Sequence, residues 1–221
     1  CKDAGIHLAG GHSIDTQEPI FGLAVTGRVD LCNLKQNSTA QSGDKLFLTK
    51  PIGVGVLTTA EKQGKLKPQH SRLAVENMMR LNTIGAILGA VPGVSAMTDV
   101  TGFGLLGHLL EMCQGSNLSA SIDVSAVPVL DAAVTDYIEA GCVPGGSQRN
   151  WQSIAQHIST ISVESQALLC DPQTSGGLLI AVNPVAADEV SSLLQEAGCY
   201  CQSIGTLADY DPSQPTIEVK T

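Results

Sequence analysis

From Asp44 to its end, this 221-residue chain keeps switching between two hydrophobic patterns: the period of two that suits a strand and the 3.6 of a helix. Lys45 to Thr49 is strand-like, Pro51-Ile52-Gly53 is a turn, and Val54 to Lys62 continues as a short helix before Gly64. Residues 71–90 carry Leu73, Val75, Met78, Met79, Leu81, Ile84, Ile87 and Leu88 near helical spacing, which predicts the longest helix. Val94 to Met97 is a short buried strand, and Leu105, Leu106, Leu109, Leu110 and Met112 then stripe a helix closed by Gly115. Leu118 to Val124 is a strand, Val129 to Ala140 a helix stopped by Gly141, and Pro144 to Ser147 a loop. Leu178 to Val182 is a continuous apolar strand, followed by a helix from Val185 to Ala197 behind the Asn183-Pro184 cap. Strands near Cys199 to Leu207 and Thr216 to Val219 finish the chain. Interleaved elements of this kind predict an α+β fold in which a mixed β-sheet is packed with helices.

Ahead of Asp44 the pattern differs. The end of a helix leads to a short extended run from Ile6 to Ala9, a turn at Gly10 to Ser13, and a strand from Pro19 to Val29. Two strands and a loop do not make a domain, and the polar stretch Asn37 to Gly43 has the composition of a linker or long loop. The expected division is residues 1–40, the tail of one domain, and 41–221, a domain with its own core. The chain starts Cys-Lys-Asp with no signal pattern, as a piece of a longer protein would.

Composition limits the partners. With 43% hydrophobic and 15% charged residues the chain is too apolar for disorder, and no apolar run is long enough to cross a membrane. The net charge of −9 comes without any Lys/Arg block, which argues against direct nucleic-acid binding. A polyphosphate remains compatible if backbone amides or divalent cations neutralise it. Seven cysteines, odd in number and never spaced as CxxC, read as reduced thiols and a cytoplasmic setting. Cys199 and Cys201 would share one strand face, but no histidine accompanies them, so a zinc site is not expected.

Three segments carry the chemistry. In Met97 to His108 (MTDVTGFGLLGH) a carboxylate, Asp99, stands where a buried strand runs out, and a glycine-rich turn opens the next helix. That order suits Mg²⁺ with phosphate, because a hard cation takes carboxylate oxygen and glycines let backbone approach an anion. It equally suits a plain helix cap, and the spacing matches neither GxxxxGK[ST] nor GxGxxG. In Ala9 to Ser13 (AGGHS), Gly10, Gly11 and His12 could line a nucleotide or merely turn the chain. In Leu169 to Leu179 (LCDPQTSGGLL), Pro172 stops a helix, Gly176-Gly177 turns into the apolar strand, and Cys170 reads as core. Asp171 reads as a cap, a ligand or a structural acceptor, His108 as packing or part of the site, and Lys50 has no assignable role.

Taken together, AGGHS, MTDVTGFGLLGH and CDPQTSGGLL resemble the selenophosphate synthetases (selenide, water dikinases), relatives of aminoimidazole ribonucleotide synthetase. NSTAQ at Asn37 to Gln41 and LTKPIGVGVLTTA at Leu48 to Ala60 follow in the same order. The resemblance implies the superfamily's C-terminal domain preceded by the last strands of its N-terminal ATP-binding domain. It implies ATP, selenide and water as substrates, selenophosphate, AMP and phosphate as products, Mg²⁺ as cofactor, and a homodimer joined through the N-terminal domain. By resemblance Asp99 binds the metal, and Gly10, Gly11 and His12 contact ATP across that dimer. The family's catalytic cysteine or selenocysteine, its lysine and its other metal carboxylates have no counterpart in this chain and are expected upstream, so the chain alone is expected to be inactive. The alternatives are another superfamily synthetase of the purine pathway and a non-catalytic nucleotide-sensing domain.

Overall fold

In a computed structural model that describes residues 1–220, strand β4 (Leu178–Val182) is buried at every position. It lies between β2 (Val94–Asp99) and β1 (Lys45–Leu48) in a six-stranded sheet that continues through β5 (Ser203–Asp209), β3 (Leu118–Asp123) and β6 (Ile217–Lys220). Neighbours are antiparallel except β3 and β6, which run parallel, so the sheet is mixed.

Alternation along each strand sends side chains to opposite faces. Leu46, Leu48, Leu179 and Ala181 join Ile204 and Leu207 in a core with Leu105, Leu106, Leu109 and Met112 of helix α4 (Gly104–Ser116). Each of those four α4 side chains is fully removed from water, a gain of about 2 kcal/mol apiece. Phe47, Leu178, Ile180 and Val182 point the other way, onto α3 (Ile84–Gly89) and α8 (Ala187–Glu196). The β2-β4-β1 part of the sheet is therefore covered on both faces, which is why β4 tolerates five apolar residues in succession. A third cluster joins α1 (Val54–Lys62), α2 (Leu73–Met79) and α5 (Ala133–Glu139) beside the sheet, and α6 (Gly145–Ile154) and α7 (Val163–Leu169) close the α4 side.

Downstream of Asp44 the structure departs from the sequence reading at several helices. The single helix expected over residues 71–90 is two, α2 and α3, because Arg80 is extended (φ −70°, ψ 124°). Long-range bonds hold that break open: the Arg80 guanidinium donates to the carbonyls of Ala197 and Gly198, and Asn82 Nδ2 donates to Gly176 O at 2.9 Å. Helix α4 runs through Gly115, where a Cβ would lie 2.9 Å from that of Ser38, and stops at Asn117 in the left-handed region (φ 56°). Gly145 to Ser147 form the first turn of α6, not a loop, and α5 begins only at Ala133 because Val129 bridges to Ile52.

The largest correction concerns the front of the chain. The expected terminal strands of residues 1–30 do not form, and Ile20, Phe21, Leu23 and Val25 are exposed. A strand needs a ladder partner and a covered face, and the described residues offer this segment neither. Residues 35–40, by contrast, are tied down: Gln36 O accepts from Met97 N at 3.1 Å, Thr39 Oγ1 donates to Ser95 O at 2.6 Å, and Ala40 N donates to Ser116 Oγ at 3.1 Å. The polar stretch read as a linker is in its first part an ordered lacing against β2 and α4.

Candidate functional site

Three connections meet where β2 ends and β4 begins: residues 49–55, 99–104 and 170–177. Asp99 closes β2 opposite Leu178, and its side chain is exposed. The backbone behind it is pinned from one side by Val100 N donating to Gly177 O at 2.8 Å and Gln173 N donating to Thr101 O at 3.0 Å. Asn150 Nδ2 holds it from another side, donating to Gly102 O at 2.8 Å and Cys170 O at 3.1 Å. Gly104 opens α4 at φ +71°, against the backbone of Cys170, where a Cβ would come within 2.6 Å. No side chain caps α4, nothing lies within 4 Å of a Cβ built on Gly102, and Phe103 is exposed. A carboxylate and an open glycine thus face solvent on a rigid base, while the first turn of α4 behind them is buried and its Gly104 amide donates to Thr101 O at 3.0 Å.

His108 lies behind this loop and is buried. Its Nε2 meets Thr101 Oγ1 at 3.2 Å and its Nδ1 meets Glu111 Oε2 at 3.1 Å, so it supports the loop from α4. Cys170 is core, as the sequence reading has it, and burial pushes its thiol up to about 12, so it is no nucleophile at neutral pH.

Asp171 resolves into a cap of long range. Its Oδ2 accepts from Gly55 N at 3.0 Å and from Gln173 Nε2 at 2.7 Å, while Gln173 Oε1 accepts from Val54 N at 3.3 Å. The two side chains together satisfy the start of α1, whose own N-cap position, Gly53, has no side chain to offer. Burial pushes the Asp171 carboxyl up to about 7, against the opposing hydrogen bonds from Gln173 and Gly55, and Oδ1 has no partner. A carboxyl raised in the fold stabilises it fully below its unfolded value near pH 4, and that contribution is lost as pH rises towards about 7. Asp171→Asn keeps an acceptor for both donors and removes this pH dependence. Relative to wild type it gains roughly 2 to 4 kcal/mol between pH 4.5 and pH 8, read as diverging denaturation midpoints. Parallel midpoints across that range would show that the buried carboxylate carries no such penalty.

Gly10, Gly11 and His12 lie in exposed chain without regular secondary structure, and none of them makes a hydrogen bond to Asp99 or its loop. The structure thus unites two of the three motifs and leaves the AGGHS segment apart from them. Among the described residues no three or more His, Cys, Asp or Glu side chains cluster as a metal site. The exposed Asp99 carboxylate is a hard oxygen donor of the kind Mg²⁺ takes. Lys50, unassigned by sequence, is buried, and its Nζ donates to Arg80 O at 2.6 Å, Ser175 O at 2.8 Å and Asn77 O at 3.4 Å. Nothing near Lys50 in sequence signals these partners.

Residues 41–216 match the family described as AIR synthase related protein, C-terminal domain. The chain is 55% identical over 219 residues to a selenide, water dikinase of Colwellia psychrerythraea, covering 99% of this chain and 63% of the relative. It is 60% identical over 194 residues to one of a Shewanella species, covering 88% and 55%. The chain spans about three fifths of the length of these curated relatives. Among solved structures, a thiamine-monophosphate kinase of Stenotrophomonas maltophilia superposes with a TM-score of 0.57 at 18% identity, covering 84% of this chain and 52% of that one. That likeness shows the shared fold.

Proposed function

Since the chain belongs to the AIR synthase related family, carrying its C-terminal domain, we propose that it is the C-terminal part of an enzyme that makes selenophosphate, AMP and orthophosphate from selenide, ATP and water. The observation that carries this reading is the exposed Asp99 on a loop clamped by the 170–177 segment, which joins the two most specific motifs in one place. The identity to selenide, water dikinases supports the choice of selenide over a purine-pathway substrate.

Forming AMP means that two phosphoryl groups leave the nucleotide, one for selenide and one for water, and such transfers depend on positioning and charge neutralisation. Mg²⁺, when bound, supplies that neutralisation. Asp99 would hold the ion, and the open Gly102 lets phosphate approach the backbone of the 99–104 loop. Thr101, His108 and Asn150 keep these groups from shifting as charge develops. Gly10, Gly11 and His12 contact ATP when the upstream domain and a second subunit complete the site, as a cytoplasmic homodimer.

The test is nucleotide chromatography under anaerobic, reducing conditions. The complete protein yields AMP and orthophosphate from Mg-ATP only when selenide is present, and this chain alone yields none. Selenide-independent turnover by the complete protein, or AMP formation by the isolated chain, would overturn the reading.

A further inference from the structure

Lys50 is among the largest side chains almost wholly removed from water, and among the described residues no carboxylate pairs with it. An ammonium without a counter-charge in that position costs folding energy, and burial together with the Arg80 guanidinium accordingly pulls its pKa below the usual lysine range. What offsets the cost is geometry. A lysine ammonium carries three donors, and three carbonyl oxygens from two distant parts of the chain surround it: Asn77 O and Arg80 O at the end of α2, and Ser175 O in the glycine loop. The C-terminal end of α2 adds its partial negative charge.

The Ser175 carbonyl is not an ordinary acceptor. Ser175 sits in the left-handed region at φ 50°, a conformation that a non-glycine residue holds only when its surroundings impose it. The next two residues press on the Asp99 loop: a Cβ on Gly176 would lie 2.0 Å from Val100 O, and Gly177 O accepts from Val100 N at 2.8 Å. Asn82 fixes the same segment from the broken helix by donating to Gly176 O. A continuous set of bonds therefore runs from Lys50 through Ser175 and Gly177 to Val100, the residue after Asp99.

We propose that Lys50 is a positioning residue for the cation site, its buried ammonium holding the 175–177 turn so that Val100 presents Asp99 in one orientation. This rests on the assignment of Asp99 as a Mg²⁺ ligand and concerns how that ligand is held. It touches neither substrate nor metal.

Two measurements test it. In this chain, amide hydrogen exchange of Lys50→Met is expected to quicken at least about tenfold at Val100 and Leu178, while amides of the distant β3–β6 pair change less than twofold. In the complete protein the same variant is expected to raise the Mg²⁺ concentration for half-maximal AMP formation about tenfold, with kcat at saturating Mg²⁺ within about threefold of wild type. Asn82→Ala, which removes the other anchor of the turn at a partly exposed position, moves both readings the same way by a smaller factor and decides the matter if Lys50→Met does not fold. Uniformly faster exchange with an unchanged Mg²⁺ requirement would make Lys50 a structural residue only and overturn the proposal. Asp99→Asn separates the two levels. If it too leaves the Mg²⁺ requirement unchanged, the metal assignment and this proposal fail together. If it alone shifts the requirement, only the role of Lys50 fails.

Discussion

Gly176→Ala is expected to cost about 3 kcal/mol of stability, lowering the melting temperature by roughly 6 to 12 °C in a chain of this size. The added methyl would lie 2.0 Å from Val100 O and 3.2 Å from the carbon of the same carbonyl. Both are backbone atoms, and they cannot retreat cheaply, because Val100 N is bonded to Gly177 O and Val100 is itself fully buried. Relief requires pushing β2 and β4 apart at the point where Asp99 faces Leu178. Conformational strain is not the cause, since Gly176 and Gly177 are absent from the positive-φ residues of the chain while Ser175 is among them. The sequence reading, that Gly176-Gly177 lets the chain turn tightly, thus has the right segment, but what excludes a side chain there is lack of room. Differential scanning calorimetry of the variant checks this, and an unchanged melting temperature would mean that the two loops do not pack as described.

Asp99→Asn is expected to reduce selenide-dependent AMP formation by the complete protein at least about 100-fold, equivalent to about 2.7 kcal/mol of transition-state stabilisation. The substitution preserves shape and removes the charge. Stability is expected to stay within about 0.5 kcal/mol of wild type, because the side chain is exposed and forms no hydrogen bond or ion pair within the described residues. The two readings together distinguish a ligand from a cap: a cap at the start of α4 would lose stability and keep activity. Raising Mg²⁺ partly restores the variant if the amide oxygen remains a weak ligand. Wild-type turnover at limiting Mg²⁺ would remove Asp99 from the site.

What the sequence by itself determined follows from interactions that repeat over short distances. The alternation of strand and helix periods is enough for a mixed sheet with helices packed on it, and five apolar residues from Leu178 to Val182 mark a strand with no polar face. Helix α1 begins and ends where its pattern says, at Val54 and Lys62, because its apolar stripe and the glycines around it are local signals. The tertiary structure alone decided whatever depended on partners far along the chain. Arg80 breaks a helix that its own residues would continue, because the carbonyls it bonds belong to Ala197 and Gly198. Asp171 and Gln173 cap α1 across more than a hundred residues, and Lys50 finds its acceptors at Asn77, Arg80 and Ser175. Residues 19–29 carry apolar residues as a strand would, yet they lie exposed and unpaired, since a strand exists only with a neighbour to complete its ladder. Period and turn chemistry are properties of neighbouring residues. Capping from afar, the meeting of loops at Asp99 and the burial of an ammonium depend on which segments the fold brings together, and no window of sequence contains both ends of those contacts.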